Sequence, residues 1–230
     1  MTTTAGSPTR PSETPDLAEV PDPAPDLSRC AAGVAIPIRA FALGKARLAG
    51  HLSDDERAEL ARRCADAVVE AARGLAVVVV SSDPDVRDWA AARAVDVIDD
   101  PGSLDGAADA GRAWVAAQGG TRVVVAHADL PRARTFTSVL RDGDRDIVAL
   151  VPCHRDDGTP VLSVPVTLDF RFAYGLGSFR RHTAEARRLG VGVRVVRDPD
   201  LAFDVDVPDD VRALGVPVVG VPVVDVPVSP

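Results

Sequence analysis

The sequence predicts an α/β fold: a mainly parallel sheet with helices on both faces. Three observations carry that expectation. Short runs rich in Val, Ile and Leu recur along the chain, amphipathic stretches with helix-start signals separate most of them, and 46% of the 230 residues are hydrophobic, enough for one sizeable core. Strands are expected at 34–38, 75–81, 95–98, 122–126, 146–151, 161–164 and 193–196. Most of these runs are apolar without alternation, as strands covered on both faces are.

The helices have readable ends. Ser53 with Glu56 three residues on makes a capping box for a helix running to about Arg73. Pro84 and Pro131 stand where first-turn prolines belong. The last long helix opens at Tyr174-Gly175-Leu176-Gly177-Ser178, runs through His182 and Glu185, and is stopped by Gly190. Trp89 and Trp114 fall on amphipathic stretches, where core packing is the expectation.

Both ends differ from this pattern. Residues 1–29 are rich in Pro, Thr, Ser, Asp and Glu and carry too little apolar surface to offset the entropy of ordering, so a disordered tail is expected there. Residues 215–230 repeat a Val-Pro unit through Pro217, Pro222 and Pro227, which suits an extended tail because proline cannot donate to a sheet ladder. The folded domain is expected over 30–214.

Charge and cysteine usage narrow the function classes. A net charge of −8 argues against a nucleic-acid or anionic-membrane partner, which would need a basic face. Cys30, Cys64 and Cys153 are an odd set with wide spacing, so neither a disulfide framework nor a zinc site is indicated, and a reducing cytoplasm is expected. No stretch approaches the roughly 18 apolar residues of a membrane span, and the N-terminus lacks the order of a signal peptide.

Among 26 basic side chains only Lys45 is a lysine, and it lies in the loop after the first strand. An ammonium is a compact charge on a flexible stem, suited to gripping a phosphate from one side of a tight loop; a chance position is the bland alternative. Asp129 follows the fourth strand in Val-Val-Val-Ala-His-Ala-Asp-Leu-Pro, a metal-ligand position that a helix cap would also explain. Asp204 and Asp206 alternate with apolar residues, so an extended chain turns both carboxylates to one side, though Asp206 could instead cap a helix before Pro208. Carboxylate oxygens without His or Cys suit Mg2+, which keeps several waters and completes its shell with substrate phosphates. The Gly175–Gly177 loop frees amides toward an anion and Ser178 adds a hydroxyl, although Ser178 could be an ordinary N-cap. Gly158 and Thr159 form a similar small-residue turn. His127 could orient Asp129, Asp99 and Asp100 could meet a ribose or a base, and Arg39 and Arg47 flank Lys45 where a triphosphate would need neutralising.

Taken in order, Ile36-Pro37-Ile38, Gly44-Lys45-Ala46-Arg47-Leu48, Ala128-Asp129-Leu130-Pro131, Asp157-Gly158-Thr159, Tyr174-Gly175-Leu176-Gly177-Ser178 with His182, and Asp204-Val205-Asp206-Val207-Pro208 resemble the 2-phospho-L-lactate and phosphoenolpyruvate guanylyltransferases of coenzyme F420 biosynthesis. The resemblance spans roughly residues 34–214. It implies a nucleotidyltransferase-like fold, Mg2+ held by Asp129, Asp204 and Asp206, the phosphorylated three-carbon acid held by Thr159, Gly175 and Ser178, and a nucleotide-side loop carrying Lys45 and Arg47. Lys45 and Asp129 are then the catalytic residues. The implied partners are GTP and phosphoenolpyruvate or 2-phospho-L-lactate, with a homodimer as a further possibility. The Arg-, Ala- and Val-heavy composition favours phosphoenolpyruvate, since it suggests the GC-rich coding of actinobacteria, where the family is associated with that acid. Two positions depart from the pattern: Pro160 replaces the asparagine usual after Gly-Thr, and Asp105 replaces the asparagine usual after Leu104. The implied reaction is attack of the acid's phosphate on the α-phosphorus of GTP with release of pyrophosphate. Two alternatives remain at this stage, a metal-dependent nucleotide-sugar glycosyltransferase reading Asp204-Val205-Asp206 as its Asp-x-Asp, and a non-catalytic nucleotide-binding relative.

Overall fold

The structure, a computed structural model, describes Met1 and residues 32–141, 146–155 and 157–215. Apart from Met1 and Gly215, the expected tails at 1–29 and 215–230 lie outside the described residues, as does Cys30. The strands are β1 (Ala32–Pro37), β2 (Ala76–Val80), β3 (Asp96–Ile98), β4 (Arg122–Ala126), β5 (Ile147–Val151), β6 (Val161–Pro165) and β7 (Gly192–Val195), all within the expected runs or a residue or two of them. The helices are α1 (Asp54–Ala71), α2 (Pro84–Ala91), α3 (Leu104–Ala117), α4 (Ser178–Arg188) and the short α5 (Pro199–Ala202) and α6 (Pro208–Ala213). The strands form one sheet in the order β3-β2-β1-β4-β6-β5-β7. All pairings are parallel except those of β6, which runs against both β4 and β5.

That one reversal decides where the chemistry gathers. Ala126 at the end of β4 pairs with Val161 at the start of β6, and Val151 at the end of β5 pairs with the same residue. The turn that enters β6 therefore lies on the edge where β1, β4 and β5 finish. In sheets of this kind ligands collect at that edge.

Capping fixes the helices. Ser53 Oγ accepts from the Glu56 amide while Glu56 Oε2 accepts from the Ser53 amide at 2.8 Å, so the capping box forms as the sequence predicts. Pro84 is the first residue of α2, after the Asp83 cap, and Gly190 follows α4 with φ 69°. Pro131 is a correction. No helix starts there: the Asp129 carbonyl that a helix would use accepts from the Val205 amide at 3.1 Å, and the Ala133 amide closes a tight turn onto Leu130.

Apolar packing covers both faces of the sheet. One large cluster joins Val34, Ile36, Val79, Val124 and Val151 to α1 and α2 residues such as Val68 and Trp89, and a second joins Ala35, Val125, Leu150 and Leu162 to Val115 of α3 and Ala186 of α4. Trp89 is buried and its indole donates to Asp66 at 3.0 Å, while Trp114 packs against the second cluster. Helix α3 approaches β1 so closely that a Cβ at Gly111 would lie 2.3 Å from the Ala35 Cβ. A third, smaller cluster of Leu48, Leu52, Leu60, Cys64, Phe203, Val205 and Val211 fastens the loop after β1 and helix α1 to the segment between α5 and α6. Val205 of that cluster accepts from Lys45, the first residue of the site described next.

Candidate active site

Lys45 occupies the turn after β1 in a left-handed conformation, φ 60° and ψ 34°, immediately before a short 3-10 turn at Ala46–Leu48. Non-glycine residues adopt this conformation at a cost, and it is held only where the surroundings fix it. The surroundings here are explicit. Its Nζ donates to the Val205 carbonyl at 2.6 Å and lies 3.3 Å from Asp129 Oδ2, and the side chain is 5% exposed. One ammonium thus ties together the loop after β1, the loop after β4 and the segment before α6.

Beside this tie two carboxylates are under-satisfied. Asp129 Oδ1 and Asp204 Oδ1 are both buried without a hydrogen-bond partner. Burial raises the Asp204 pKa above the ordinary carboxylate range, and the neighbouring negative charge of Asp129 adds to the rise. His154 Nδ1 at 3.0 Å and Arg155 Nη1 at 3.6 Å from Asp204 Oδ1 offset this in part. The donor-free Asp129 Oδ1 and the Asp204 carboxylate, close enough for their charges to interact, are hard oxygens of the kind a divalent cation fits.

Asp206 behaves differently. Its Oδ2 is 2.6 Å from Arg47 Nη1 across an exposed ion pair. Among the described residues no group of three or more His, Cys, Asp or Glu side chains is placed to hold a metal. The three carboxylates expected to share one Mg2+ are placed unequally: Asp129 and Asp204 each carry a buried oxygen without a hydrogen bond, and the Arg47 guanidinium engages Asp206. The capping alternative for Asp206 also fails, because Val207 precedes α6 as its cap and the amides of Asp206 and Val207 donate to Asp210 Oδ2 at 2.8 and 3.0 Å.

Asp210 was not singled out from the sequence, and it organises this whole turn. Besides the two amides it receives Arg155 Nη2 on both oxygens, at 2.8 and 2.6 Å. Burial alone would raise its pKa, but the two amides and the guanidinium outweigh burial and hold the carboxyl below its ordinary value. The signal was present: an acid three residues after the Val207 cap is the reciprocal position of a capping box. No comparable pattern marks His154 or Arg155.

A cavity of about 520 Å³ opens beside Lys45, Asp129 and Asp206, lined also by Ile38, Arg39, Phe41, Leu43, Leu104 and His127 among others. One wall is apolar and the other carries the charges. His127 belongs to that wall and its ring packs against Tyr174, 5.3 Å between centroids, rather than bonding Asp129. Asp99 pairs with Arg87, and Asp100 Oδ1 accepts from the Gly102 amide at 2.8 Å, so these two acids serve the turn after β3.

The second small-residue cluster lies next to the first. Thr159 Oγ1 and Ser178 Oγ are 3.2 Å apart and both residues are buried. Ser178 is the first residue of α4, with Gly177 as the cap at φ 74°, so the N-cap alternative for Ser178 does not hold. Gly175 is also left-handed, φ 93°. Arg181 Nε and Nη2 donate to the carbonyls of Ala173 and Tyr174 at 3.1 and 2.7 Å, and Nη1 to that of Leu176. One guanidinium therefore holds three carbonyls of the glycine loop. Asp105 Oδ1 accepts from the Tyr174 amide at 2.7 Å, so the acceptor that replaced an amide at this position anchors the same loop. Pro160 has no N–H to offer, but its carbonyl accepts from the His127 amide at 2.9 Å and binds the turn to β4. Thr159, Gly175 and Ser178 are thus brought together, joined to the cavity wall through His182, Tyr174 and His127.

With this geometry in place, comparison with known proteins is decisive for the family. The family described as "Guanylyl transferase CofC like" matches residues 32–216. The chain belongs to this family. A phosphoenolpyruvate guanylyltransferase of Sphaerobacter thermophilus is 34% identical over 186 residues, 78% of this chain and 90% of that protein. A 3-phospho-D-glycerate guanylyltransferase of Phenylobacterium zucineum is 33% identical over 178 residues, 72% of this chain and 81% of its own length. Among solved structures, a chain from Desulfovibrio desulfuricans G20 described as a nucleotide-diphospho-sugar transferase superposes with a TM-score of 0.62 at 16% identity, covering 80% of this chain and 86% of that one. The CofC-like chain is therefore a nucleotidyltransferase by family, and its sheet has the expected fold. No described helix is long and apolar enough to cross a membrane.

Proposed function

We propose that the protein transfers the guanylyl group of GTP to phosphoenolpyruvate, with 2-phospho-L-lactate as the second candidate acceptor, in coenzyme F420 biosynthesis. An oxygen of the acid's phosphate forms a bond to the α-phosphorus of GTP, the bond from that phosphorus to the β-phosphate oxygen breaks, and pyrophosphate leaves. The observation that carries the reading is Lys45 at the cavity wall, its ammonium shared between Val205 and an Asp129 carboxylate whose other oxygen has no hydrogen-bond partner.

The obstacle is repulsion between two anions. Lys45 has three N–H donors; Val205 and Asp129 take two, and the third is available to a phosphate of the nucleotide. Arg39 on the cavity wall and Arg47 at its rim add positive charge along the same path. Leu43 and Leu104 offer apolar surface to the nucleobase. Asp129 and Asp204 would hold Mg2+, joined by Asp206 if it exchanges Arg47 for the ion. Magnesium there supplies neutralisation of phosphate charge. Thr159, Ser178 and the Gly175 loop receive the acceptor's phosphate or carboxylate, holding it in place by hydrogen bonds. Free thiols at Cys64 and Cys153 support a reducing cytoplasm as the compartment.

The test is incubation with GTP, Mg2+ and each acid in turn, with mass spectrometry of the products and a pyrophosphate assay. A guanylylated acid and equimolar pyrophosphate are expected, with phosphoenolpyruvate the best acceptor. Release of a nucleoside diphosphate, or nucleotide binding without turnover, refutes the reading.

A further inference from the structure

We propose that His182 is a positioning residue whose fixed tautomer orders the Thr159 and Ser178 hydroxyls, so that one hydroxyl hydrogen is presented to the anionic group of the acceptor. The argument starts from the donor on the far side of the ring. The Ala173 amide donates to His182 Nε2 at 2.9 Å, so that nitrogen must carry its lone pair. The ring is fully buried, and burial, with the charges of Arg181 and His127 adding, lowers its pKa to about 4. A neutral imidazole with Nε2 as acceptor has its hydrogen on Nδ1. Nδ1 lies 3.2 Å from Thr159 Oγ1, which must therefore accept.

Counting hydrogens gives the consequence. His182 Nδ1, Thr159 Oγ1 and Ser178 Oγ bring one hydrogen each, and the three atoms make two contacts, His182 to Thr159 and Thr159 to Ser178. One hydrogen is in surplus. Thr159 Oγ1 has two lone pairs and accepts from both the ring and Ser178 Oγ, so the surplus is the hydrogen of the Thr159 hydroxyl. Thr159 is 0% and its neighbour Ser178 2% exposed, so the unspent donor is enclosed together with the array that orders it. A buried donor without an acceptor is costly, whereas a phosphate or carboxylate oxygen seated there gives a charge-assisted bond strengthened by the two behind it. Ser178 opens α4 directly after the glycine loop whose carbonyls Arg181 holds, the segment in which an anion would be received.

The assignment of that anion to the acceptor rests on the proposed function; the tautomer does not. Long-range proton–nitrogen correlation spectra of the histidine-labelled full chain, assigned with His182→Asn, are expected to show a neutral Nδ1–H ring from about pH 8 to about pH 5. An Nε2–H ring or an imidazolium overturns the proposal. In steady-state kinetics His182→Leu is expected to raise KM for phosphoenolpyruvate by about 10- to 100-fold, with KM for GTP unchanged within about twofold. His182→Asn, whose amide nitrogen can stand near the place of Nδ1, recovers most of the loss, and His182→Gln, whose amide reaches toward Nε2 instead, recovers less. Equal changes in both KM values, or Gln matching Asn, overturn the proposal; if Leu prevents folding, the Asn and Gln comparison decides alone. Should the wild type transfer guanylyl to no acid, the proposed function falls. Calorimetric binding of phosphoenolpyruvate to the wild type and the Asn and Gln variants then decides the His182 assignment, with no binding to any of them counting against it.

Discussion

Replacing Lys45 with methionine keeps an unbranched side chain one atom shorter while deleting the charge that joins three loops. At 3.3 Å from Asp129 Oδ2 and an effective dielectric of about 20, the direct attraction is about 5 kcal/mol, most of it offset by the cost of burying the ammonium. The bond to the Val205 carbonyl at 2.6 Å is charge-assisted and contributes about 1.5–3 kcal/mol. Asp129 is 30% exposed and regains water when the ammonium goes, whereas the Val205 residue is fully buried and its carbonyl has less opportunity to do so. The net loss is about 2–4 kcal/mol, which for a domain of this length lowers Tm by about 5–15 °C. Calorimetry and urea unfolding of the metal-free protein read it. A Tm within about 2 °C of the wild type would refute the idea that this ammonium ties the loops together.

Asp129→Asn is expected to lower pyrophosphate release by at least about a thousandfold while circular dichroism stays unchanged, since several kcal/mol of charge stabilisation is lost at the reacting phosphates; retained activity would remove Asp129 from the site. Stability should fall as pH drops through the interval from about 6.5 to about 4, because the unfolded chain binds a proton at His182 before the folded one does. The wild type then loses up to about 3 kcal/mol that His182→Asn does not lose, measured as the difference between their urea midpoints at the two ends of that interval. Gly111→Ala places a methyl 2.3 Å from the Ala35 Cβ, and overpacking of about 1–3 kcal/mol exceeds the helix-propensity gain of under about 1 kcal/mol, so Tm falls. For Lys45→Arg, the extra atoms of a guanidinium must enter a site only 5% exposed, and a large loss of turnover is expected despite the retained charge.

The strands were legible because uninterrupted Val and Ile runs can only be covered on both faces, and the helix at Ser53 because a capping box is a local signal. Pro131 misled for a reason outside its neighbourhood, since the Val205 amide claims the carbonyl a helix would need. Alternation placed Asp204 and Asp206 on one side of an extended chain, but it carries no information about Arg47, which pairs with Asp206 from 159 residues away. Arg181 was invisible in the same way: its three carbonyl partners depend on the shape of a loop. The antiparallel direction of β6, which brings Thr159 to the functional edge, also follows from pairing partners remote in sequence.

The cluster of Leu48, Leu60, Phe203 and Val211 joins the beginning of the domain to its end, and Lys45 meets Val205 across a separation of 160 residues. Closing so long a chain segment is among the last contacts that folding can reward. Partly folded chains can therefore carry a native-like sheet while the ammonium and its carboxylate partner are still apart. Recovery of enzymatic turnover during refolding should lag behind recovery of secondary structure, making catalysis a reporter of the final docking step.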